Sequence, residues 1–343
     1  MRQSGFALYG KEDLRPYSWD GSEIEAGGVL LRVNSCGICG SDLRMFFDGP
    51  SPRYRLPVVL GHEFTGTIIE VGSAVEGYQA GEVVAVAPLI PDMRCRACSH
   101  GQDNLCENGQ VIGVHIPGAM ADLFYVPAQM VSVGGLAKVA AGTDVHAAGL
   151  TEIVACCLHG IRQTEFEPGC KVLIIGEGPV GLAHLQLLKW MGAGEVVISG
   201  LIETRLRLAE EFGADVALNV GKHDLKKFAE ERRFRPDLAI VAAPVIPASQ
   251  TALELLRPGG SLLLFSGYPS GSTMPFDLYK FHYAEKHVHG SIDCTLQDFQ
   301  RAAELLPQLQ MGRLITHTFP LAEASQAFRA ARSEAAVKTM LVP

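Results

Sequence analysis

Short apolar runs and longer amphipathic segments alternate along the chain from about residue 155 onward. The runs hold four or five mostly aliphatic residues, as buried strands often do, whereas the longer segments repeat their apolar positions with a helical period. Because such alternation is typical of parallel strands joined by helices, it predicts a parallel sheet covered on both faces. The predicted strands are residues 171–175, 195–199, 216–220, 238–242 and 262–265, and the helices between them include residues 182–191 and 205–212.

The pattern in the first part of the chain is different. There, short runs of β-branched residues at 58–60, 67–71 and 82–86 alternate with glycines and prolines, which predicts the strands of a compact, barrel-like domain. Beyond about residue 290 the pattern leaves the parallel sheet, and residues 296–308 predict an amphipathic helix that packs back on the first domain. The sequence thus predicts an α/β protein whose parallel-sheet domain, residues 155–290, is inserted into a β-rich domain formed by residues 1–154 and 291–343.

Composition and charge narrow the class of protein. With 343 residues, 48% hydrophobic and only 7% aromatic, the chain is long enough for two aliphatic cores. A formal net charge of −8 offers no basic field for nucleic acid. No apolar run reaches the ~20 residues that span a bilayer, and the N-terminus lacks the apolar core of a signal peptide. Several of the nine cysteines stand at metal-binding spacing, which predicts zinc and a reducing cytoplasm.

Three separate stretches together predict one catalytic zinc site. One thiolate, one imidazole and two carboxylates can hold Zn²⁺ and leave a position open for water or substrate. A single histidine is more often structural and a single glutamate more often lies on the surface, so the prediction depends on their joint occurrence. The candidate ligands are Cys39 in Cys39-Gly40-Ser41-Asp42, His62 and Glu63 in Gly61-His62-Glu63, and Glu152 in Thr151-Glu152-Ile153.

Cys36 competes with Cys39 for a role at this site, because Cys36-Gly37-Ile38-Cys39 is a C-x-x-C motif. Such a pair could be redox-active or could supply half of a zinc cluster. The neighbouring Gly61-His62-Glu63 favours Cys39 as the single ligand, with Cys36 as a small buried residue.

A second metal cluster is predicted by one aspartate and three cysteines in a single loop. Ligands so close in sequence are typical of a four-coordinate structural zinc, and aspartate can bind zinc through oxygen. The alternative is a metal-free lobe that contains reduced thiols. The candidate ligands are Asp92, Cys95, Cys98 and Cys106.

A glycine-rich turn follows the strand predicted at residues 171–175. The motif G-x-G-x-x-G is weak alone, but between a strand and a helix it is typical of dinucleotide sites, where the helix N-terminus donates N–H groups to the pyrophosphate. Zinc beside a nicotinamide indicates hydride transfer between an alcohol and a carbonyl. The candidate coenzyme-binding residues of the turn are Gly176, Gly178, Pro179, Val180 and Gly181.

The choice between NAD and NADP depends on the end of the next strand. An acidic residue that binds the ribose hydroxyls is expected there, and Gly200 stands in its place. Its absence removes repulsion against a 2′-phosphate, and Arg205 could pair with that phosphate, so the sequence slightly favours NADP. In the alternative, Arg205 is an ordinary residue of a helix face and Glu203 binds the ribose.

Taken together, these motifs resemble the medium-chain, zinc-dependent alcohol dehydrogenase superfamily, most closely its sorbitol and polyol dehydrogenase branch. The resemblance extends over essentially the whole chain. It implies a GroES-like β-rich catalytic domain and a Rossmann domain with a doubly wound parallel sheet, with the active site in the cleft between them. Members of the family are usually dimers or tetramers.

The resemblance also implies roles for individual residues. Cys39 and His62 match the family's pair of zinc ligands, and Glu63 matches a carboxylate that ligates zinc in the polyol branch. Glu152 falls where the family has a third protein ligand or the acid that holds the zinc-bound water. Ser41 matches the hydroxyl that receives the substrate proton.

The sequence departs from the family pattern in three places. Asp92 replaces the first cysteine of the lobe. Ile153 follows Glu152 in an expected turn where proline is usual. Arg44 stands where relatives often carry the histidine that passes the proton to solvent, which leaves the relay beyond Ser41 open.

The sequence therefore predicts a zinc-dependent oxidoreductase that interconverts a secondary alcohol and its ketone by hydride transfer to or from NAD(P). The expected substrate is small and polar: a polyol, cyclitol, sugar or sugar phosphate. Arg44 is a candidate contact for its phosphate or hydroxyl groups. The alternatives are a non-catalytic NAD(P)-binding or redox-sensing protein on the same fold, and a dehydrogenase of simple alcohols.

Overall fold

The computed structural model describes residues 2–21, 23–50 and 54–343, which form two compact units. The first unit is the chain up to Ala155 together with Cys294–Pro343, and the second is Cys156–Asp293. The boundaries that the sequence predicts, after residues 154 and 290, lie one and three residues before these. None of the described helices is both long and apolar enough to cross a membrane.

Antiparallel strands make up most of the N-terminal part of the first unit. In chain order they are β1 (Arg2–Gly10), β2 (Asp13–Asp20), β3 (Val29–Gly37), β4 (Val58–Val59), β5 (Glu63–Val71), β6 (Val83–Val86), β7 (Leu89–Ile90), β8 (Gln110–Val111), β9 (Leu123–Val126) and β10 (Leu136–Lys138). One sheet has the order β2-β1-β4. A larger sheet contains the run β10-β6-β5-β3, with β9 also paired to β3, and β7 pairs with β8.

Five helices lie between these strands or follow the last of them. They are α1 (Gly40–Asp48), α2 (Arg96–Ser99), α3 (Ala128–Ser132), α4 (Val145–Ala148) and α5 (Thr151–Arg162). α1 follows β3 after a break of two residues, and the segment 151–153, where the sequence predicts a turn, is the first turn of α5. Because proline is tolerated in the first turn of a helix, a family proline and Ile153 are both compatible with this position.

The second unit contains one parallel sheet. Its strands are β11 (Val172–Ile175), β12 (Val196–Gly200), β13 (Val216–Asn219), β14 (Leu238–Val241), β15 (Ser261–Leu264) and β16 (His287–Gly290), and its further helices are α6 (Pro179–Trp190), α7 (Glu203–Glu211), α8 (Leu225–Glu231), α9 (Ile246–Leu255) and α10 (Leu278–Tyr283). The strand order is β13-β12-β11-β14-β15-β16, with every pair parallel. This is the doubly wound order of dinucleotide-binding domains, so the predicted fold class is confirmed.

The C-terminal segment completes the first unit. It contains α11 (Leu296–Leu305), β17 (Ile315–Pro320), α12 (Ala324–Ala331) and β18 (Lys338–Val342), and a 3₁₀ turn extends α11 to Gln308. β18 is parallel to β17 and antiparallel to β3, with Met340 opposite Gly37. The last strand of the chain therefore lies beside the strand that precedes Cys39.

Candidate active site, metal lobe and nucleotide turn

The end of β3 and the start of α1 position Cys39. Cys39 is the N-cap residue of α1, and its backbone N–H donates to Asp42 Oδ2 at 2.9 Å. The carboxylate of Asp42, which is 3% exposed, satisfies one of the N–H groups that a helix start leaves without a helical partner. Asp42 thus fixes the backbone from which the Cys39 thiol projects.

The pairing of β3 with β5 brings His62 and Glu63 to the same place. β5 begins at Glu63, which lies opposite Gly37 in the antiparallel register. The ligand atoms of Cys39, His62 and Glu63 consequently lie within 4.8 Å of one another. One thiol, one imidazole and one carboxylate at this spacing match the donor set of a catalytic zinc ion.

Negative groups surround His62 on several sides. Asp42 Oδ1 lies 3.9 Å from His62 Nδ1. Burial alone would lower the pKa of His62, but the charges of Cys39 and Asp42, and to a smaller extent that of Glu152, raise this pKa well above its ordinary value. The same field attracts a metal cation.

Glu152 stands apart from the three closest donors. It is the second residue of α5 and contributes to the electrostatic field at both His62 and Lys338. Its carboxylate does not belong to the group of ligand atoms that the described residues place within 4.8 Å of one another. Its role, as a third protein ligand or as the acid that holds the zinc-bound water, stays a prediction.

Lys338 is a residue of this site that the sequence reasoning missed. Its ammonium group forms a short ion pair with Glu63 Oε2 and donates to the carbonyl oxygen of Ile38 at 3.0 Å, and both charged side chains are at most 2% exposed. Burial lowers the pKa of Lys338, but the neighbouring Glu63 and Cys39 charges outweigh this effect and raise it. The available signal was a lysine at the head of an apolar C-terminal run.

Cys36 has a different environment from Cys39. It is 1% exposed, it lies outside the group of metal donors, and burial raises the pKa of its thiol well above the usual range. A thiol in this state is a poor nucleophile and a poor metal ligand. The interpretation of Cys36 as a small buried residue agrees with this geometry.

Ser41 and Arg44 both lie on α1. Ser41 is partly buried and directly follows the first residue of the helix, whereas Arg44 is exposed. Their sequence-predicted roles, in proton transfer and substrate contact, stay predictions.

The second cluster has the dimensions of a zinc site. Tetrahedral zinc with Zn–S of about 2.3 Å and Zn–O of about 2.1 Å separates two sulfurs by about 3.8 Å, and a sulfur from an oxygen by about 3.6 Å. Cys95 Sγ lies 3.5 Å from Cys98 Sγ and 3.9 Å from Cys106 Sγ. Cys98 Sγ lies 3.5 Å from Asp92 Oδ1. These four side chains therefore fit a structural zinc.

Asp92 is held so that one carboxylate oxygen faces the sulfurs. Oδ1 accepts from the N–H groups of Arg94 at 2.9 Å and Cys95 at 3.0 Å, while Oδ2 accepts from Asn108 Nδ2 at 2.6 Å. The bond from Asn108 and those from the two backbone groups hold the pKa of Asp92 far below its ordinary value. The aspartate is thus an anion, the state in which it can replace a cysteine thiolate.

The glycine-rich turn joins β11 to α6 in the second unit. Gly178 is the N-cap of α6, and Pro179 begins the helix, where its missing N–H costs no helical hydrogen bond. A Cβ atom at Gly181 would collide with the carbonyl oxygen of Gly176. The turn therefore exposes helix N–H groups as a pyrophosphate site requires, with Val180 in its first helical residues.

The end of β12 lies beside a side chain from the glycine-rich turn. Gly200 is the last residue of β12, and the side chain of Glu177, from the glycine-rich turn, occupies the space beside it. Glu203 Oε1 accepts from Asn219 Nδ2 at 2.6 Å and Lys222 Nζ at 2.7 Å, and Arg205 lies partly buried two residues further along α7. The sequence analysis gave no role to Glu177, whose side chain lies next to this strand end.

Comparison with known families agrees with this geometry. Residues 25–135 match the family described as alcohol dehydrogenase GroES-like domain, and residues 179–308 match the family described as zinc-binding dehydrogenase. Sorbitol dehydrogenase of Halalkalibacterium halodurans is 32% identical over 92% of this chain and 91% of its own length. The chain belongs to the zinc-dependent medium-chain alcohol dehydrogenases. It falls in their polyol branch, and the predicted family and enzyme class are confirmed.

Other relatives and solved structures extend the comparison. L-galactonate-5-dehydrogenase of Escherichia coli is 31% identical over 90% of each chain. A protein of Sinorhizobium meliloti described as a zinc-binding dehydrogenase, bound to NADP, is 28% identical with a TM-score of 0.91 over 100% of both chains. An alcohol dehydrogenase of Escherichia coli CFT073 in complex with NADH is 26% identical with a TM-score of 0.90, over 100% of this chain and 99% of its own. Zinc and a nicotinamide coenzyme are thus the family's cofactors.

The lobe geometry predicts about two zinc ions per chain, one of them held by Asp92 and three cysteines. Asp92→Ala should reduce the zinc content to about one, since three thiolates leave the tetrahedron incomplete, and Asp92→Cys should restore it. Metal analysis of each purified variant measures this. Native protein with one zinc and fast alkylation of Cys95, Cys98 and Cys106 in the folded state would show that the lobe is metal-free.

The buried ion pair predicts a strong dependence of stability on Lys338. In protein stripped of zinc by a chelator, Lys338→Met should lower the free energy of unfolding by about 3–5 kcal/mol, because Glu63 then stays buried without its cation. Lys338→Met combined with Glu63→Gln should recover most of this loss. Urea denaturation followed by tryptophan fluorescence measures both, and equal stability of the native and Lys338→Met proteins would contradict the argument.

Proposed function

We propose that this protein is a zinc-dependent dehydrogenase that oxidises a secondary alcohol of a polyol, sugar acid or related sugar derivative, or reduces the corresponding ketone, with NAD(P). The observation that carries the proposal is the convergence of Cys39, His62 and Glu63, whose ligand atoms lie within 4.8 Å of one another in a chain of this family. A redox sensor or a non-catalytic nucleotide-binding protein would not need these three donors together with Glu152.

Each residue of the site has a separate proposed role in the reaction. Cys39, His62 and Glu63 would hold the catalytic zinc, with Glu152 beside it. A metal ion held there would supply Lewis-acid activation of the substrate hydroxyl, and a bound nicotinamide would supply the hydride acceptor. Ser41, two residues after Cys39, is the group that would accept the hydroxyl proton. Asp42 keeps Cys39 and His62 in position, and Lys338 neutralises Glu63.

The relatives support a polar substrate. The relatives include a sorbitol dehydrogenase, an L-galactonate-5-dehydrogenase and D-xylulose reductases, names that indicate substrates with several hydroxyl groups. Arg44 is exposed on α1, five residues after Cys39, and a guanidinium there could bind a phosphate, a carboxylate or a hydroxyl. The sequence-based preference for NADP stays a prediction, because one solved neighbour carries NADP and another NADH.

We also propose that the protein assembles as a homodimer or homotetramer in a reducing compartment such as the cytoplasm. None of the nine cysteines forms a disulfide in the part of the chain that the structure describes. β16 is an edge strand, and near it the second unit exposes several large apolar side chains, a pattern that favours association. These side chains are Leu278, Tyr279, Tyr283, Val288 and Ile292. Light scattering of the purified protein tests the assembly.

Replacing Cys39 should reduce the rate of the reaction without changing the affinity for the coenzyme. Cys39→Ala should remove the catalytic zinc and reduce kcat by at least about a thousandfold, while the affinity for the coenzyme changes little. His62→Ala should behave in the same way. Cys36→Ala is the matched control, since it removes a thiol three residues away that lies outside the donor group. Near-native kcat in a Cys39→Ala protein verified to lack catalytic zinc would refute the mechanism.

The substrate class can be tested with a panel of alcohols. We expect a sugar alcohol, cyclitol, sugar acid or sugar phosphate to exceed ethanol and hexanol in kcat/KM by at least about a hundredfold, because polar contacts left empty by a simple alcohol cost binding energy. Arg44→Ala should raise KM most for anionic candidates. If hexanol were the best substrate, the polyol assignment would be wrong, although the zinc dehydrogenase assignment would survive.

A further inference from the structure

The carboxylate of Glu177 is anchored at the carboxyl end of β12. Its Oε1 accepts hydrogen bonds from the backbone N–H groups of Leu201 and Ile202, both at 2.9 Å. The side chain is 9% exposed. Glu177 is the second residue of the turn Gly176-Glu177-Gly178, so a residue of the phosphate-binding turn reaches across to the end of the neighbouring strand.

Gly200 makes room for this carboxylate. A Cβ atom at position 200 would overlap Oε2 and the carboxyl carbon of Glu177, far inside van der Waals contact. Any larger residue at Gly200, including an aspartate, would therefore displace Glu177. The absence of a side chain at Gly200 is thus what allows the carboxylate of Glu177 to lie at the strand end.

This place in the fold determines which dinucleotide binds. In doubly wound nucleotide domains a carboxylate at the end of the second strand accepts hydrogen bonds from the 2′-hydroxyl of the adenosine ribose. Here β12 is that strand, paired with β11 on the side away from β14. Glu177 places a carboxylate at the same point from a different position in the sequence.

The other acid near this point is already engaged. Glu203 Oε1 accepts from both Asn219 and Lys222, which belong to the end of β13 and the loop after it. Glu177 Oε2, in contrast, has no hydrogen-bond partner among the residues that the structure describes. It is the carboxylate oxygen available to a ribose.

We infer that Glu177 is the ribose-binding carboxylate of this enzyme and selects NAD against NADP. The inference rests on the proposed use of a nicotinamide dinucleotide, but not on the catalytic zinc or on the substrate. The oxygen Oε2 accepts a hydrogen bond from the 2′-hydroxyl of NAD. In NADP that hydroxyl carries a phosphate with a charge near −2, which the adjacent carboxylate repels and to which it can donate no hydrogen bond.

This inference reverses the expectation drawn from Gly200 alone. The glycine removes an acid from the strand end, which would favour NADP, but it also admits the acid of Glu177. Arg205 could attract a 2′-phosphate, but a 2′-phosphate at the end of β12 would meet the carboxylate of Glu177, which the N–H groups of Leu201 and Ile202 hold there. The net expectation is at least about thirtyfold tighter binding of NAD than of NADP, since like charges in contact cost several kcal/mol.

Binding measurements on the purified enzyme test this selection without any turnover. Titration calorimetry gives Kd for NAD and NADP, and for the fragments 5′-AMP and 2′,5′-ADP, which differ only in the 2′-phosphate. Glu177→Gln keeps the size and an oxygen for the two N–H groups but removes the charge. It should tighten NADP and 2′,5′-ADP at least about tenfold, while NAD weakens no more than about fivefold.

A double variant tests whether a carboxylate at position 200 can replace the one at position 177. Gly200→Asp alone should weaken both coenzymes, because two carboxylates cannot share the space. Glu177→Ala combined with Gly200→Asp moves the acid to the strand end and should restore the preference for NAD. Glu203→Gln is the matched control, which removes a nearby carboxylate that is tied to Lys222 and should leave the NAD to NADP ratio of Kd unchanged.

Two results would overturn the inference. One is a native enzyme that binds NADP as tightly as NAD, and the other is a Kd ratio that Glu177→Gln does not change. Failure of the proposed function has a different signature: if neither dinucleotide nor either fragment bound, the nucleotide site itself would be refuted. Loss of turnover with intact NAD selection would instead concern only the zinc chemistry.

Discussion

The buried pair of Lys338 and Glu63 is the interaction on which the arrangement of the first unit depends. A carboxylate that is 1% exposed needs a cation or a hydrogen-bonding partner, because an isolated buried charge is costly. Its partner follows 275 residues later, at the first position of β18. The pair forms only when β18 lies along β3. Pairing of the C-terminal strand therefore extends the sheet and at the same time supplies the cation that the buried Glu63 needs. The residues near Cys39 and Glu63 in sequence do not supply this cation.

The two proposed metal sites are positioned by different parts of the structure. The four lobe ligands lie within fifteen residues of one another, and Asp92 is oriented by N–H groups of its own loop and by Asn108. Such a site closes a short loop, and zinc binding contributes directly to its ordering. Cys39 and Glu63 come from the end of β3 and the start of β5, so their geometry depends on the register of a sheet. We therefore expect the lobe to lose order with its metal while the catalytic donors keep their places.

Strands of the parallel sheet could be predicted from the sequence where their side chains are buried. β11 and β14 are uninterrupted buried aliphatic runs, and β12 is a buried run of three aliphatic residues followed by serine and glycine, so each predicts a strand to within a residue or two. β16 was missed, because its sequence His287-Val288-His289-Gly290 lies at an exposed edge and carries no apolar pattern. The candidate ligands of the lobe could be proposed from the sequence because their short spacing is itself the signal. Lys338 could not, because only the pairing of β18 with β3 brings it to Glu63, and a single lysine indicates no partner.

Glu177 shows why a motif position and a position in space must be distinguished. The sequence rule assigns ribose binding to the residue that ends the second strand, and Gly200 stands there, so the rule indicates that no acid is present. In the fold, that point is reached from two places in the chain, since β11 and β12 are adjacent and parallel and their carboxyl ends meet at one edge. A glutamate side chain is long enough to bridge from the turn after β11 to the N–H groups after β12, provided that the strand-end residue has no Cβ. Gly200 therefore leaves space for the carboxylate of Glu177 and does not mean that the strand end lacks an acid. Gly200 and Glu177 must be considered together to predict which coenzyme binds.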